Sequence, residues 1–140
     1  MTLFNFWPSW ITWLPEEQRK EELFRLIRSG EKITTGRPKP KKGEFYQLYY
    51  GKRGGPKEFI AEVIPTNLFI LDLNPAERTM SFEGQFLRDS AVQRVIDNDG
   101  FKDHTDAFWE YFYESHTLFF HQWLKPVERE VLGWRIKPKE

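Results

Sequence analysis

The sequence predicts an α+β fold, with a small β-barrel carrying packed helices as the expected form. Residues 15–29 place apolar side chains at helical spacing between two clear end signals. Four short runs, 45–50, 58–64, 68–73 and 117–123, are rich in aromatic and branched apolar residues. Helices and strands intermix without the alternating rhythm of a parallel sheet, which leaves the mixed class. The 140 residues suffice for one core, so 1–140 reads as one domain. Within it, 1–14 is an aromatic N-terminal arm or strand and 126–140 a C-terminal extension.

The arm is dense in Phe4, Phe6, Trp10, Ile11 and Trp13 and broken by Pro8. It serves either to cover a core or as an exposed patch for a partner. Pro15 suits the first turn of a helix, where its missing N–H costs nothing. Glu16 and Glu17 sit at the positive end of that helix, with Arg25 and Arg28 toward the negative end. Leu23, Phe24, Leu26 and Ile27 form its apolar stripe, and Gly30 is placed to end it. Phe45–Tyr50 and Glu58–Ile64 flank the turn-rich Gly51–Pro56 and predict a basic hairpin over 45–64. Leu68–Leu73 is short enough to be a buried strand. Residues 76–88 read as either a small hairpin or an irregular loop, and the stretch 74–88 is long enough to cover or narrow a cleft. Asp89-Ser90 can cap a helix running to Ile96, stopped by Asn98-Asp99-Gly100. Asp103 or Thr105 caps another, running to about Ser115, with Phe108, Trp109 and Phe112 on one face. Thr117–Trp123 reads as a strand, and Val131–Ile136 as a last one.

Composition narrows the chemistry. No cysteine is present, which excludes disulfides, thiolate metal sites and a Cys nucleophile. His104, His116 and His121 lack metal-ligand spacing, so neither a metal nor another cofactor is expected. No apolar run approaches the roughly 18 residues of a membrane span, and the N-terminus lacks the pattern of a signal peptide. The expectation is a soluble cytoplasmic protein that does not engage membranes, its oligomeric state open. Net charge is zero but unevenly spread. Gly30–Lys57 holds six Lys and two Arg against two Glu, whereas Glu58–Thr117 holds twelve acids against four bases. One face is thereby suited to a negative partner. Thirteen Phe, six Trp and five Tyr supply either core or stacking surfaces.

The chemistry concentrates in Gly30-Glu31-Lys32-Ile33-Thr34-Thr35-Gly36-Arg37. A lysine, two hydroxyls and an arginine within eight residues make a compact anion-binding corner. Gly30-x-Lys32-x-x-x-x-Arg37 resembles the GxKxxxxR signature of ASCH domains in the PUA-like superfamily. Val95–Phe101 with its Asp-Gly-Phe turn, followed by a helix bearing Phe108 and Phe112, is similar to that family's second mark. The resemblance spans about residues 14 to 125 and implies a small β-barrel with flanking helices and a cleft lined by the first motif. It also implies RNA or a modified nucleoside or nucleotide as partner. In small amidohydrolases of the family, which deacylate N4 of cytidine, a lysine, a threonine and a glutamate are catalytic. These match Lys32, Thr35 and, with a shorter side chain, Asp99.

Two functional readings follow. The first is a binding module for RNA or a modified nucleotide. In it Arg37, Lys39, Lys41, Lys42, Lys52 and Arg53 contact phosphates, and Tyr46, Tyr49 or Trp109 stacks on a base. The second is a metal-independent amidohydrolase with Thr35 as nucleophile, Lys32 as base and Asp99 in support. A Lys32–Asp99 ion pair tying two loops together accounts for both residues without any substrate, and Thr34 and Thr35 also read as residues entering a strand. An interaction protein working through Trp7 or Trp10 is a third reading. Asp in place of Glu puts the binding module first.

Overall fold

The computed structural model describes residues 2–124, so the extension 126–140 and the strand expected at 131–136 lie outside the described residues. The described chain is mixed α and β, with three helices and eight strands in two sheets.

Strand β1 (Thr2–Phe6) is followed by a single 3-10 turn at Pro8–Trp10 and helix α1 (Glu16–Ser29). Pro15 caps α1 in an extended conformation, one residue outside the position expected, and Gly30 ends it at φ 86°. Only glycine takes that left-handed turn freely, and it reverses the chain into β2 (Thr34–Arg37). Strands β3 (Tyr46–Tyr50) and β4 (Glu58–Val63) form the antiparallel basic hairpin, with an irregularity at Leu48/Tyr49. Only Ile64 separates β4 from β5 (Pro65–Asn74), so one length of chain passes from the first sheet to the second. The stretch 76–88 contains the hairpin β6 (Thr79–Phe82) and β7 (Gln85–Phe86).

Helix α2 (Asp89–Ile96) is capped by Arg88, with Asp89 already inside its first turn. A wide turn at Asp97–Phe101 follows, then α3 (Thr105–Tyr111), capped by His104 and ending at Phe112. The third helix is therefore shorter than expected, its buried face complete with Phe108, Trp109 and Phe112. Strand β8 (Thr117–Trp123) runs through the second sheet.

The sheet orders are β1-β3-β4 and β2-β8-β5-β6-β7, and neither sheet closes into a barrel. The gap lies beside β1, which pairs parallel with β3 on one edge. Phe6 O accepts from Gly51 N–H at 3.0 Å on that side. The carbonyls of Leu3 and Asn5, out of phase with Phe6, meet side chains instead of a strand. Lys41 Nζ donates to Leu3 O at 2.7 Å and Arg37 Nη2 to Asn5 O at 2.9 Å. These two carbonyls are satisfied without a ladder.

The core is one cluster of apolar residues from both sheets and all three helices. Phe4, Phe6, Trp10 and Ile11 belong to it, so much of the N-terminal segment is core, while Leu3 and Trp7 are exposed at 38% and 41%. Strand β5 is half-exposed: Leu71 and Leu73 point inward while Ile70 and Asp72 face out. Its length comes from pairing with β8 rather than from burial of both faces. No helix among the described residues is long and apolar enough to cross a membrane.

Candidate functional site: a cationic, aromatic-floored cleft

The site is built from two glycine turns that meet. After Gly30, Lys32 N–H donates to Leu26 O at 2.9 Å, tying the residue back to α1. Ile33 N–H then donates to Asn98 O at 2.8 Å, and Ile33 O accepts from Trp123 N–H at 2.9 Å. The first motif is thus fastened both to the Asp97–Phe101 turn and to β8. Gly100, at φ 100°, lies directly against the lysine. A Cβ there would stand 3.3 Å from Lys32 Cδ and 3.1 Å from Trp10 Cη2. The glycine is required by conformation and by the space the lysine occupies.

Lys32 and Asp99 are 3% and 2% exposed. Lys32 Nζ donates to Asp99 O at 2.7 Å and lies 3.5 Å from Asp99 Oδ1. Thr34 Oγ1 donates to the same carboxylate oxygen at 2.9 Å. Nζ also lies over the rings of Trp10 and Phe6, 5.1 and 5.6 Å from their centroids. Burial lowers the Lys32 pKa, the nearby Asp99 carboxylate opposing and Arg37 reinforcing the shift. Burial likewise raises Asp99, against the support of Lys32 and Thr34. Burial pushes each group toward its neutral form, and the opposite charge beside it works against that shift.

Arg37 Nε donates to Thr35 Oγ1 at 3.0 Å. With Nη2 on Asn5 O and the guanidinium 5.0–5.2 Å from the Phe4 and Phe6 centroids, Arg37 is largely immobilised. Its Nη1 has no partner among the described residues. Loop 38–45 crosses the gap beside β1 and is held by His121, a fully buried residue of β8. His121 Nε2 accepts from Lys41 N–H at 2.9 Å, so the ring proton sits on Nδ1, 3.4 Å from Thr35 O. Burial lowers the pKa of this imidazole.

These elements enclose a cleft of about 970 Å³, lined by Lys32, Thr35, Arg37, Lys41, Lys52, Arg53 and Asp99. Phe6, Trp10, Phe101 and Phe112 floor it, and Trp7 and Tyr111 stand exposed beside it. Seven of the residues singled out from sequence therefore share one cavity. Lys39 and Lys42 are exposed on the loop and do not line it. Tyr46 is 2% exposed, packed edge-on against Phe4 with centroids 4.9 Å apart. It is a core residue and not a stacking surface, because alternation along β3 points 46 and 48 inward. Trp109 is buried in the same way, at 3% exposure. Residues 74–88 contribute nothing to the lining.

Sequence reasoning did not find Thr34 as the hydroxyl on Asp99, nor His121 as the support of the lysine loop. It also missed Phe6, Phe112 and Tyr111 as parts of the wall. Five basic side chains against one already engaged carboxylate give the cleft a cationic lining, with aromatic rings among them. Scanned against protein-family models, curated proteins and solved structures, the chain gave no match.

Proposed function

We propose that this chain is an ASCH-like domain of the PUA-like type whose cleft binds a nucleotide, either free or as an unpaired residue of RNA. The observation that carries the reading is the joining of cations and aromatic rings in one cavity. Arg37 Nη1, Lys52 and Arg53 would meet phosphate oxygens, and the exposed ring of Tyr111 suits the face of a base. Lys41 is already turned onto Leu3 O and contributes chiefly its field. The open gap beside β1 fits the PUA-like reading as a barrel bridged by side chains.

The test is a titration of the protein with the four ribonucleoside 5′-monophosphates across a salt series. Saturable binding is expected, weakened at least tenfold by Arg53→Ala combined with Lys52→Ala. With RNA, affinity is expected to fall with salt by about 0.7 in log–log slope for each phosphate contact. Absence of saturable binding to monophosphates and RNA alike at low salt would overturn the reading.

A second reading has its own observation, a lysine of lowered pKa in the same cavity as a threonine hydroxyl. In an amidohydrolase, Thr35 Oγ would attack the acyl carbon of an N-acylated base and pass its proton to a neutral Lys32. The amine would leave with that proton, and water would cleave the resulting ester to release the acid and restore Thr35. The Arg37 Nε–H on Thr35 Oγ1 is placed to support the alkoxide. However, Lys32 Nζ bonds to Asp99 and not to Thr35, which places binding ahead of turnover. Incubation with N4-acetylcytidine decides: cytidine released by the natural protein and not by Thr35→Val establishes the enzyme.

A further inference from the structure

We propose that the cleft takes a single-stranded polynucleotide of at least two residues, one nucleotide over the Lys32–Arg37 floor and its neighbour stacked on Trp7. This rests on the nucleotide-binding reading above and specifies its partner.

Trp7 is the exposed member of an otherwise buried set of N-terminal aromatics. Its extended backbone, φ −124° and ψ 125°, is the conformation required of a residue preceding proline, so its position is fixed by Pro8. The indole is backed by Tyr50, stacked at 5.2 Å and 25°, and Tyr50 in turn packs on Phe24 of α1. The ring is therefore a rigid platform standing on the core, and it lines the same cleft as Lys32 and Arg37.

The ammonium of Lys52 lies over the ring, 4.7 Å from its centroid. Lys52 and Arg53, which has no partner among the described residues, lie at the tip of the β3–β4 connection. That tip is held against the end of β1 by the Gly51 N–H bond to Phe6 O. A Cβ on Gly51 would come within 2.5 Å of Pro56 O, so the folding of this connection back on itself needs glycine. An exposed cation over an indole is held more weakly than a stacked base. A base arriving at Trp7 therefore displaces Lys52 and leaves its ammonium beside the phosphate that follows. A cavity of about 970 Å³ lies at the upper end of the range of small-ligand sites, about 300–1,000 Å³. It has room for more than one nucleotide. The competing occupant is a free nucleoside triphosphate, with Lys52 and Arg53 on its phosphate chain.

The test compares, for the base whose 5′-monophosphate binds best, that monophosphate, the triphosphate and the RNA and DNA homo-octamers at 0.3 M salt, where non-specific attraction is screened. An octamer is expected to bind about tenfold or more tightly than the monophosphate, the scale of one added stacking contact. Trp7→Ala is expected to remove that gain, weakening the octamer about tenfold more than the monophosphate, and Trp7→Phe to retain most of it. Equal affinity for octamers and monophosphate overturns the proposal and leaves the nucleotide site standing. So does an equal loss for both ligands in Trp7→Ala. Triphosphate binding as tight as the octamers and indifferent to Trp7 assigns the platform to Lys52 alone. Failure of every ligand, in low salt as well, overturns the site itself.

Discussion

Burying an ammonium beside a carboxylate makes each residue's cost depend on the other. Removing one partner leaves the other charged and unpaired, at about 3–5 kcal/mol, whereas replacing both by apolar groups of similar volume is often neutral or stabilising. Asp99→Ala is therefore expected to destabilise the fold by about that amount. The double variant Lys32→Met, Asp99→Leu is expected to recover most of it, as a double-mutant cycle in urea would show. Gly100→Ala is expected to cost about 1–3 kcal/mol, from positive φ and from crowding against Lys32 and Trp10. Lys32 and Asp99 stand out in the sequence because Lys32 lies two residues after Gly30 and Asp99 directly precedes Gly100, glycines whose conformation the chain needs. Thr34 and Thr35 are adjacent and chemically identical, and only the pleat decides which hydroxyl meets Asp99 and which meets Arg37.

At the scale of elements, loop 38–45 is held by one imidazole together with the Thr2 Oγ1–Lys42 O and Lys41 Nζ–Leu3 O bonds. His121 must be neutral at Nε2 to accept from Lys41 N–H. Its folded pKa lies below the ordinary 6.5, so the unfolded chain takes up the proton first. The associated stability is fully present above pH 6.5 and is lost as pH falls from there through the folded pKa. Urea midpoints measured between pH 7.5 and 5 are expected to fall with pH in the natural protein. They are expected to be flatter in His121→Gln, whose amide can still accept from Lys41. The β6–β7 hairpin carries the opposite kind of feature, with Phe82 and Phe86 exposed at 44% and 77%. Phe86→Ser is expected to change stability by less than about 0.5 kcal/mol and to leave ligand binding intact. The ends of α1 and the 45–64 hairpin were legible because proline, glycine and alternation act locally. The length of β5 was not, because pairing with β8 extends it through Pro65–Asn67, where the sequence carries turn residues.

For the whole molecule, the mixed class followed from pattern, but the missing closure did not. Whether β1 meets a strand or a pair of cations depends on where loop 38–45 lies, and no periodicity encodes that. Arg37 works for the scaffold and the cleft at once. Arg37→Met is expected to lower stability by about 1–3 kcal/mol through lost hydrogen bonds and to weaken nucleotide binding in parallel. Denaturation and titration of the same variant would check both.

The order of strands has a consequence for how the chain is made. The β2 segment emerges early in synthesis, yet its ladder partner is β8, more than eighty residues later. Strand β8 is also the main partner of β5, so the larger sheet lacks its middle until residue 123 has left the ribosome. Until then β2 and β5 wait with open edges, the condition in which strands of neighbouring nascent chains find each other. Assembly is expected to be late, cooperative and slow for a chain of this length, and in need of shielding while it proceeds.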